Sequence, residues 1–163
     1  MSDCPVVVSD VRSGDVRAAL PVELGRWSLL AAAAAEAEGG VGELTLTFVD
    51  AAEIAELNAE YMGQTGPTDV LSFPMDDEAM PGVPTLLGDI VVCPEVAEAQ
   101  FAEHAGTFDD EIALLVVHGV LHVLGHDHAE DAEATLMRER EVTLLRAFHW
   151  RSDPPIGFRQ THD

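Results

Sequence analysis

The segment from residue 112 to residue 124 constrains the fold of this chain more than any other part of the sequence. Its residues, IALLVVHGVLHVL, are apolar at nearly every position. A helix that is apolar on every side has to be buried inside a protein. The chain has 163 residues, which is enough for one domain that buries such a helix without disulfide bonds. We therefore expect a single domain over residues 1–150.

The rest of the chain predicts a small layer of strands and helices. Period-two alternation and buried apolar runs predict strands at residues 5–10, 43–50, 68–74 and 86–93. Helical spacing predicts helices at residues 15–38, 51–62, 94–106, 110–124 and 132–150. Strands and helices alternate early and helices dominate late, so the fold class is α/β, with a mixed sheet. Residues 151–163 are expected to form a flexible C-terminal tail.

Three histidines at and after the apolar helix predict a metal site. His118 and His122 are four residues apart, so both rings project from one face of the helix. Gly125 can adopt the left-handed conformation that turns the chain and brings His128 back toward the pair. Three nitrogen ligands leave one tetrahedral position for water, as in catalytic zinc sites. The alternative is a set of buried histidines that are hydrogen-bonded to backbone or carboxylate groups.

The same histidine spacing occurs in metzincin proteases, which gives a remote alternative. In those enzymes a Glu follows the first histidine and acts as the general base. Gly119 stands at that position here, so the alternative is a metalloprotease-like hydrolase that lacks its usual proton acceptor. The metal-bound water is the first catalytic candidate, and Asp127 is a secondary one. Asp127 could orient a ligand, contact that water or cap the turn.

Charge and cysteine content limit the setting in which the protein acts. The chain has 30 acidic residues against 8 basic ones and a net charge of −22. The electrostatic field of so acidic a protein repels phosphate groups and anionic lipids. Composition alone therefore indicates neither nucleic acid nor a membrane as a partner. Cys4 and Cys93 provide no disulfide framework, and no apolar run reaches the roughly 18 residues of a membrane span. We expect a cytoplasmic protein that binds no membrane.

Three further segments accompany the histidine segment HGVLHVLGHDH at residues 118–128: they are Leu57-Asn58, PTDVLSFP at residues 67–74 and LGDI at residues 87–90. Taken together, these motifs make the sequence resemble the YbeY family, bacterial metal-dependent endoribonucleases of rRNA maturation. The resemblance implies a mixed sheet of about four strands flanked by helices, with the histidines at the floor of a cleft. It implies one Zn²⁺ per chain, bound by His118, His122 and His128. It also implies that Asp69, Ser72 and Phe73, on a strand bordering the cleft, contact substrate.

The implied function is that of a zinc-dependent endoribonuclease specific for single-stranded RNA. It would act on rRNA, not DNA, in rRNA maturation and ribosome quality control. Either water activated by the metal or the 2′-hydroxyl of the RNA could be the nucleophile. The alternative is a non-catalytic ribosome-assembly factor with a structural zinc, for which Asp127 or Cys93 would supply a fourth ligand. The acidic surface suits basic ribosomal or ribosome-assembly proteins as partners.

The sequence departs from the family pattern at two positions that would contact RNA. Met62 stands where family members commonly carry an Arg, and Gly66 stands where they carry a basic residue before Pro-Thr. Those cations would hold phosphate groups of the RNA. With few cations available to release counterions, we expect RNA binding that depends unusually little on salt.

Overall fold

The computed structural model describes residues 3–75, 85–104, 106–127 and 129–160. Within these ranges, strands and α-helices alternate in the first part and helices dominate the second. In chain order they are β1 (Val6–Asp10), α1 (Gly14–Ala19), α2 (Leu24–Ala37), β2 (Glu43–Phe48), α3 (Ala51–Leu57), β3 (Val70–Pro74), β4 (Leu86–Val92), α4 (Pro94–Gln100), α5 (Phe108–Val123) and α6 (Asp131–Leu145). Short helical turns extend three of the helices: a π-turn at Asn58–Met62, a 3₁₀ turn at Phe101–His104 and a π-turn at Arg146–Trp150.

The strands form one mixed sheet in the order β1-β2-β4-β3. The pairs β1/β2 and β2/β4 are parallel, and β3 runs antiparallel to β4. β3 is an edge strand, and Pro74 at its end, which has no N–H to donate, is tolerated at such an edge. The sheet and its flanking helices form one domain, which confirms the predicted fold class.

Helix α5 forms the centre of the domain. Its residues from Ile112 to Leu121 are all buried, and it packs against α2, α6, β3 and β4. A reciprocal capping box fixes its start, because Thr107 Oγ1 accepts from Asp110 N at 3.1 Å and Asp110 Oδ2 accepts from Thr107 N at 2.9 Å. No helix in the described part of the chain, α5 included, is long and apolar enough to span a bilayer.

One predicted helix, residues 15–38, is wrong in its extent, because the structure divides it into α1 and α2. Leu20 ends α1 with φ −139° and ψ 76°, and Pro21 follows it. The proline ring disfavours the helical conformation in the residue before it. Pro21 therefore indicated the break in the sequence, although the alanine-rich run from residue 31 to residue 35 favoured one long helix.

The C-terminal segment from residue 151 contacts the body of the domain. The Phe158 ring lies edge-on against Trp150, with ring centroids 4.9 Å apart, and Arg159 N donates to His104 O at 3.0 Å. The predicted flexibility of residues 151–163 concerns motion and stays a prediction. Residues 161–163 lie outside the described part of the chain.

Candidate metal centre

Helix α5 brings two of the three predicted metal ligands together. The rings of His118 and His122 lie with centroids 4.6 Å apart and planes at 74°. Both line a cleft of about 730 Å³ between α5, β3 and the loop that precedes β3. His118 is only 7% exposed, so its ring is held at the base of this cleft. The third predicted ligand, His128, lies outside the described residues.

A carboxylate on α6 orients the first of these rings. Glu141 Oε2 lies 2.5 Å from His118 Nδ1, and Glu141 is 1% exposed. Because Nδ1 is engaged by the carboxylate, Nε2 is the nitrogen with which His118 could bind a metal. A carboxylate in this position fixes the ring orientation of a metal-binding histidine. The arrangement is the one that histidine-ligated metal centres use.

The sequence analysis missed Glu141. It lies 23 positions from His118 along the chain, and a single Glu among many acidic residues has no motif spacing. A usable signal was nevertheless the helical spacing that places Glu141 in line with the apolar residues that α6 buries. The buried residues of this helix are Ala134, Met137, Glu141, Leu144 and Leu145. A carboxylate within an otherwise apolar stripe is a candidate for a buried partner.

The turn after α5 begins at Gly125, which has the positive φ expected of it. Gly125 adopts φ 101°, its N–H donates to His122 O, and His126 N donates to Leu121 O. The His126 ring faces away toward α2, with Nε2 at 3.5 Å from Glu38 Oε1. Asp127, the catalytic candidate, is exposed in this turn and is not among the described residues that line the cleft.

The donor set in the cleft fits a divalent transition metal. Two imidazoles one helical turn apart, one of them fixed by a carboxylate, are a donor pair suited to Zn²⁺. Among the described residues no cluster of three or more His, Cys, Asp or Glu side chains could hold a metal. The third predicted ligand, His128, lies outside this part of the chain.

Gly119, between the two histidines, allows α5 to lie directly on the sheet. A Cβ atom at this position would be 2.6 Å from Ile90 Cγ2 and 3.3 Å from Ser72 Oγ. Any side chain here would push the helix away from β3 and β4. The position where metzincin proteases place their catalytic Glu therefore has no room for one.

The edge strand β3 supplies the opposite wall of the cleft, where two of the three predicted substrate-binding residues lie. Asp69 and Ser72 both line the cleft, and Ser72 Oγ donates to Gly119 O over a long 3.4 Å. Phe73 is not among the described lining residues; it packs against the smaller core cluster, which contains Leu71 and Cys93. Its ring meets the exposed Tyr61 edge-on at 5.3 Å.

A partly buried polar network supports this wall. Asp69 Oδ1 accepts from Val70 N at 2.8 Å, and Gln100 Nε2 donates to both Asp69 Oδ2 and Glu111 Oε2 at 2.8 Å. Glu111 Oε1 in turn lies 2.6 Å from His104 Nδ1. The Asp69 carboxylate is thus held by donors from its own strand and from α4, and it connects the cleft wall to the start of α5.

The cleft contains few groups that could bind phosphate. The described residues that line it include no Arg and no Lys. Met62 lines the cleft and is 43% exposed. The carbonyl of Gly66 accepts from Asn58 Nδ2 at 3.0 Å, which closes the loop before β3. At the two positions where family members carry cations, this chain therefore has the apolar side chain of Met62 and the backbone turn at Gly66.

The fold and the paired histidines define a small α/β protein with a candidate metal centre at the base of a cleft. Comparison with known proteins places it further. The chain belongs to the Endoribonuclease YbeY family, whose model matches residues 22–149. This match confirms the resemblance that the motifs indicated.

Individual relatives agree with the family match. An Endoribonuclease YbeY of Micrococcus luteus is 52% identical over 107 residues, which cover 63% of this chain and 65% of the relative, just under two thirds of its length. One of Acidothermus cellulolyticus is 46% identical over 130 residues, or 73% of this chain and 77% of the relative. The solution structure of a Thermotoga maritima protein matches with a TM-score of 0.54 and 29% identity, covering 96% of this chain and 99% of that one.

Proposed function

We propose that the chain is a zinc-dependent endoribonuclease that cuts single-stranded RNA in rRNA maturation and ribosome quality control. The observation that carries the proposal is the His118–His122 pair, backed by Glu141 at the base of a cleft, in a member of the Endoribonuclease YbeY family. His118, His122 and His128 would hold the metal. A zinc ion bound there supplies a Lewis acid that stabilises negative charge developing on a phosphoryl oxygen.

The chain's own residues shape the site for a flexible strand. Glu141 fixes the His118 ring through its contact with Nδ1. In the opposite wall of the cleft, Gln100 holds Asp69 by a hydrogen bond. The long bond from Ser72 Oγ to Gly119 O can be exchanged for a bond to a substrate oxygen, so we assign substrate contact to Ser72. Asp69 also lines the cleft, so we assign substrate contact to it as well, whereas Phe73 supports the wall by packing against the smaller core cluster. A single strand can bend into such a cleft, whereas a stiff duplex is recognised mostly by its outer shape.

The alternative of a structural zinc needs a fourth protein ligand, and neither candidate is well placed. Cys93 is fully buried in the smaller core cluster and does not line the cleft. Burial raises the pKa of its thiol, which disfavours the thiolate that binds metal. Asp127 is exposed in the turn after α5. These positions support a site that keeps one coordination position for catalysis.

The partners follow from charge as well as from the cleft. A net charge of −22 opposes contact with long stretches of nucleic acid, so we assign RNA binding to the short cleft itself. The acidic surface is complementary to basic ribosomal or ribosome-assembly proteins, which we propose as further partners. The remote protease alternative loses support at Gly119, where a general-base side chain does not fit.

The test combines metal analysis with cleavage of single-stranded rRNA fragments. We expect bound zinc, cleavage that a chelator abolishes and added Zn²⁺ restores, and little cleavage of duplex RNA or of DNA of the same sequence. Products that end in a 2′,3′-cyclic phosphate would assign attack to the RNA's own 2′-hydroxyl, whereas a 5′-phosphate on the downstream product would assign it to water. If the wild-type protein and His122→Ala cut at the same rate, the nuclease assignment is wrong.

The salt dependence of binding tests the cation-poor cleft separately. Each phosphate neutralised on a single strand contributes about −0.7 to the slope of log affinity against log salt. Because the described lining residues include no Arg and no Lys, we expect a slope no steeper than about −1. A markedly steeper slope would show that cations elsewhere on the surface bind the RNA.

A further inference from the structure

Gln160, near the end of the described chain, reaches the carboxylate behind the candidate metal centre. Its Nε2 donates to Glu141 Oε1 at 2.9 Å and to Arg138 O at 2.9 Å. The segment that carries it is held by the Arg159 N–H bond to His104 O and by the contact of Phe158 with Trp150. Gln160 is therefore placed by several contacts on two parts of the domain.

The two oxygens of Glu141 face different partners. Oε2 lies against His118 Nδ1 and Oε1 accepts from Gln160, while the residue as a whole is 1% exposed. A buried carboxylate requires hydrogen-bond donors, and donors on both oxygens fix the rotation of the group. The Gln160 amide is fixed in its turn by the second bond, to Arg138 O on α6. The direction of Oε2 toward His118 thus depends on Gln160.

We propose that Gln160 is a positioning residue for the metal centre, acting through Glu141 on His118. The proposal rests on the metal site of the proposed function. It adds the C-terminal segment to that site, because Gln160 lies beyond residues 22–149 that the family model matches. The segment after α6 therefore serves metal binding in this chain as well as packing.

The coupling acts in both directions. If docking of Gln160 raises the affinity for metal, bound metal must stabilise the docked segment by the same factor. Zn²⁺ should therefore slow amide hydrogen exchange at Phe158, Arg159 and Gln160 in the full chain. Exchange at these amides that is unchanged by Zn²⁺ would contradict the coupling.

The direct test measures Zn²⁺ affinity of the full chain by competition with a chromophoric chelator. Removing an immediate partner of a metal ligand lowers metal affinity roughly 10–100-fold. Gln160 contacts the partner, Glu141, and not the ligand itself, so Gln160→Ala should lower Zn²⁺ affinity by less, about 3–10-fold. Ile156→Ala is the matched control, because Ile156 lies in the same segment and is fully exposed. This control should bind Zn²⁺ as the wild type does. Equal affinity of Gln160→Ala and wild type would overturn the proposal.

A double-mutant cycle separates positioning from a general loss of structure. If Gln160 acts through Glu141, Gln160→Ala should have no further effect on Zn²⁺ affinity when Glu141→Ala is already present. A full additional loss in that background would show a general effect on folding and overturn the proposal. Thermal unfolding of each variant, without metal, reports whether the domain has folded.

The outcomes also distinguish this inference from the proposed function. A wild-type protein that binds no Zn²⁺ would remove the metal site and this inference with it. A wild-type protein that binds Zn²⁺ but cuts no RNA would remove the nuclease function alone. In that case the affinity ratio between wild type and Gln160→Ala still decides the role of Gln160.

Discussion

Two buried histidine–carboxylate pairs lie at opposite ends of α5 and serve different purposes. His118 Nδ1 lies 2.5 Å from Glu141, and His104 Nδ1 lies 2.6 Å from Glu111. Both carboxylate residues are 1% exposed, and the histidines are 7% and 4% exposed. By distance and burial the pairs are nearly equal. Only His118 borders the cleft, whereas Glu111 connects through Gln100 to the cleft wall.

The difference shows that a buried histidine–carboxylate pair does not by itself define a metal ligand. What distinguishes His118 is the second imidazole, His122, one helical turn away with its ring 4.6 Å distant, and the cleft that both rings line. The pair at His104 instead fixes where α4, β3 and α5 meet. The same local chemistry therefore fixes an imidazole that borders the cleft at one end of the helix and supports the cleft wall at the other.

The largest expected effect comes from removing each histidine in turn. His118→Ala should lower Zn²⁺ affinity more than about 100-fold, beyond the range seen when only a supporting partner is removed. His104→Ala should leave that affinity within about twofold of wild type but lower stability by roughly 3 kcal/mol, since Glu111 loses a buried partner. Chelator competition and urea unfolding measure the two quantities. Should both variants lose Zn²⁺ affinity equally, the two ends of α5 are not functionally distinct.

A smaller effect is expected at Gly119, which tests how closely the cleft end of α5 must lie on the sheet. A Cβ atom here meets Ile90 Cγ2 at 2.6 Å, so Gly119→Ala should cost about 1–3 kcal/mol through overpacking. It should also weaken Zn²⁺ binding, because the helix that carries both histidines has to shift. Urea unfolding and chelator competition again provide the measurements.

Gly25 in α2 is the matched control for this substitution. A Cβ atom there has no neighbour within 4 Å, and alanine is favoured over glycine in a helix. Gly25→Ala should therefore stabilise the domain by roughly 0.5 kcal/mol. A Gly119→Ala variant as stable as Gly25→Ala would show that the interface between α5 and β4 can accommodate a methyl group at this position.

The part of the site that lies within one helix was predictable from the sequence. His118 and His122 share a face because of their spacing, and Gly125 ends the helix where a left-handed residue was expected. The partners that orient the site were not predictable in the same way. Glu141 meets His118, and Gln160 meets Glu141, only because α6 and the C-terminal segment pack back on the domain, and that packing depends on contacts between distant parts of the chain.

The cleft wall shows a similar limit. Alternation predicts that Ser72 and Phe73 point to opposite faces of β3, and they do: Ser72 lines the cleft, and Phe73 packs against the smaller core cluster. Local pattern does not say which face borders the cleft, since that depends on where α5 crosses the sheet. The motif could therefore locate the strand but not assign a role to each of its residues.

The smallest expected effect concerns acid stability at the start of α5, where Asp110 forms a third buried contact of this kind. Burial by itself raises the pKa of Asp110, but bonds from Thr107 N–H, His149 and Trp150 outweigh it and lower the pKa below its ordinary value of 3.8. A carboxyl whose pKa is lowered by folding stabilises the folded state above its unfolded pKa, and loses that contribution as pH falls through the folded pKa. The unfolding free energy of wild type should therefore fall more steeply below about pH 4 than that of Asp110→Asn. Urea titrations at several pH values measure these unfolding free energies. The control is Asp109→Asn, at an exposed ion pair with Arg26, and its unfolding free energy should vary with pH as that of wild type does. The same pH dependence for wild type and Asp110→Asn would contradict the assignment.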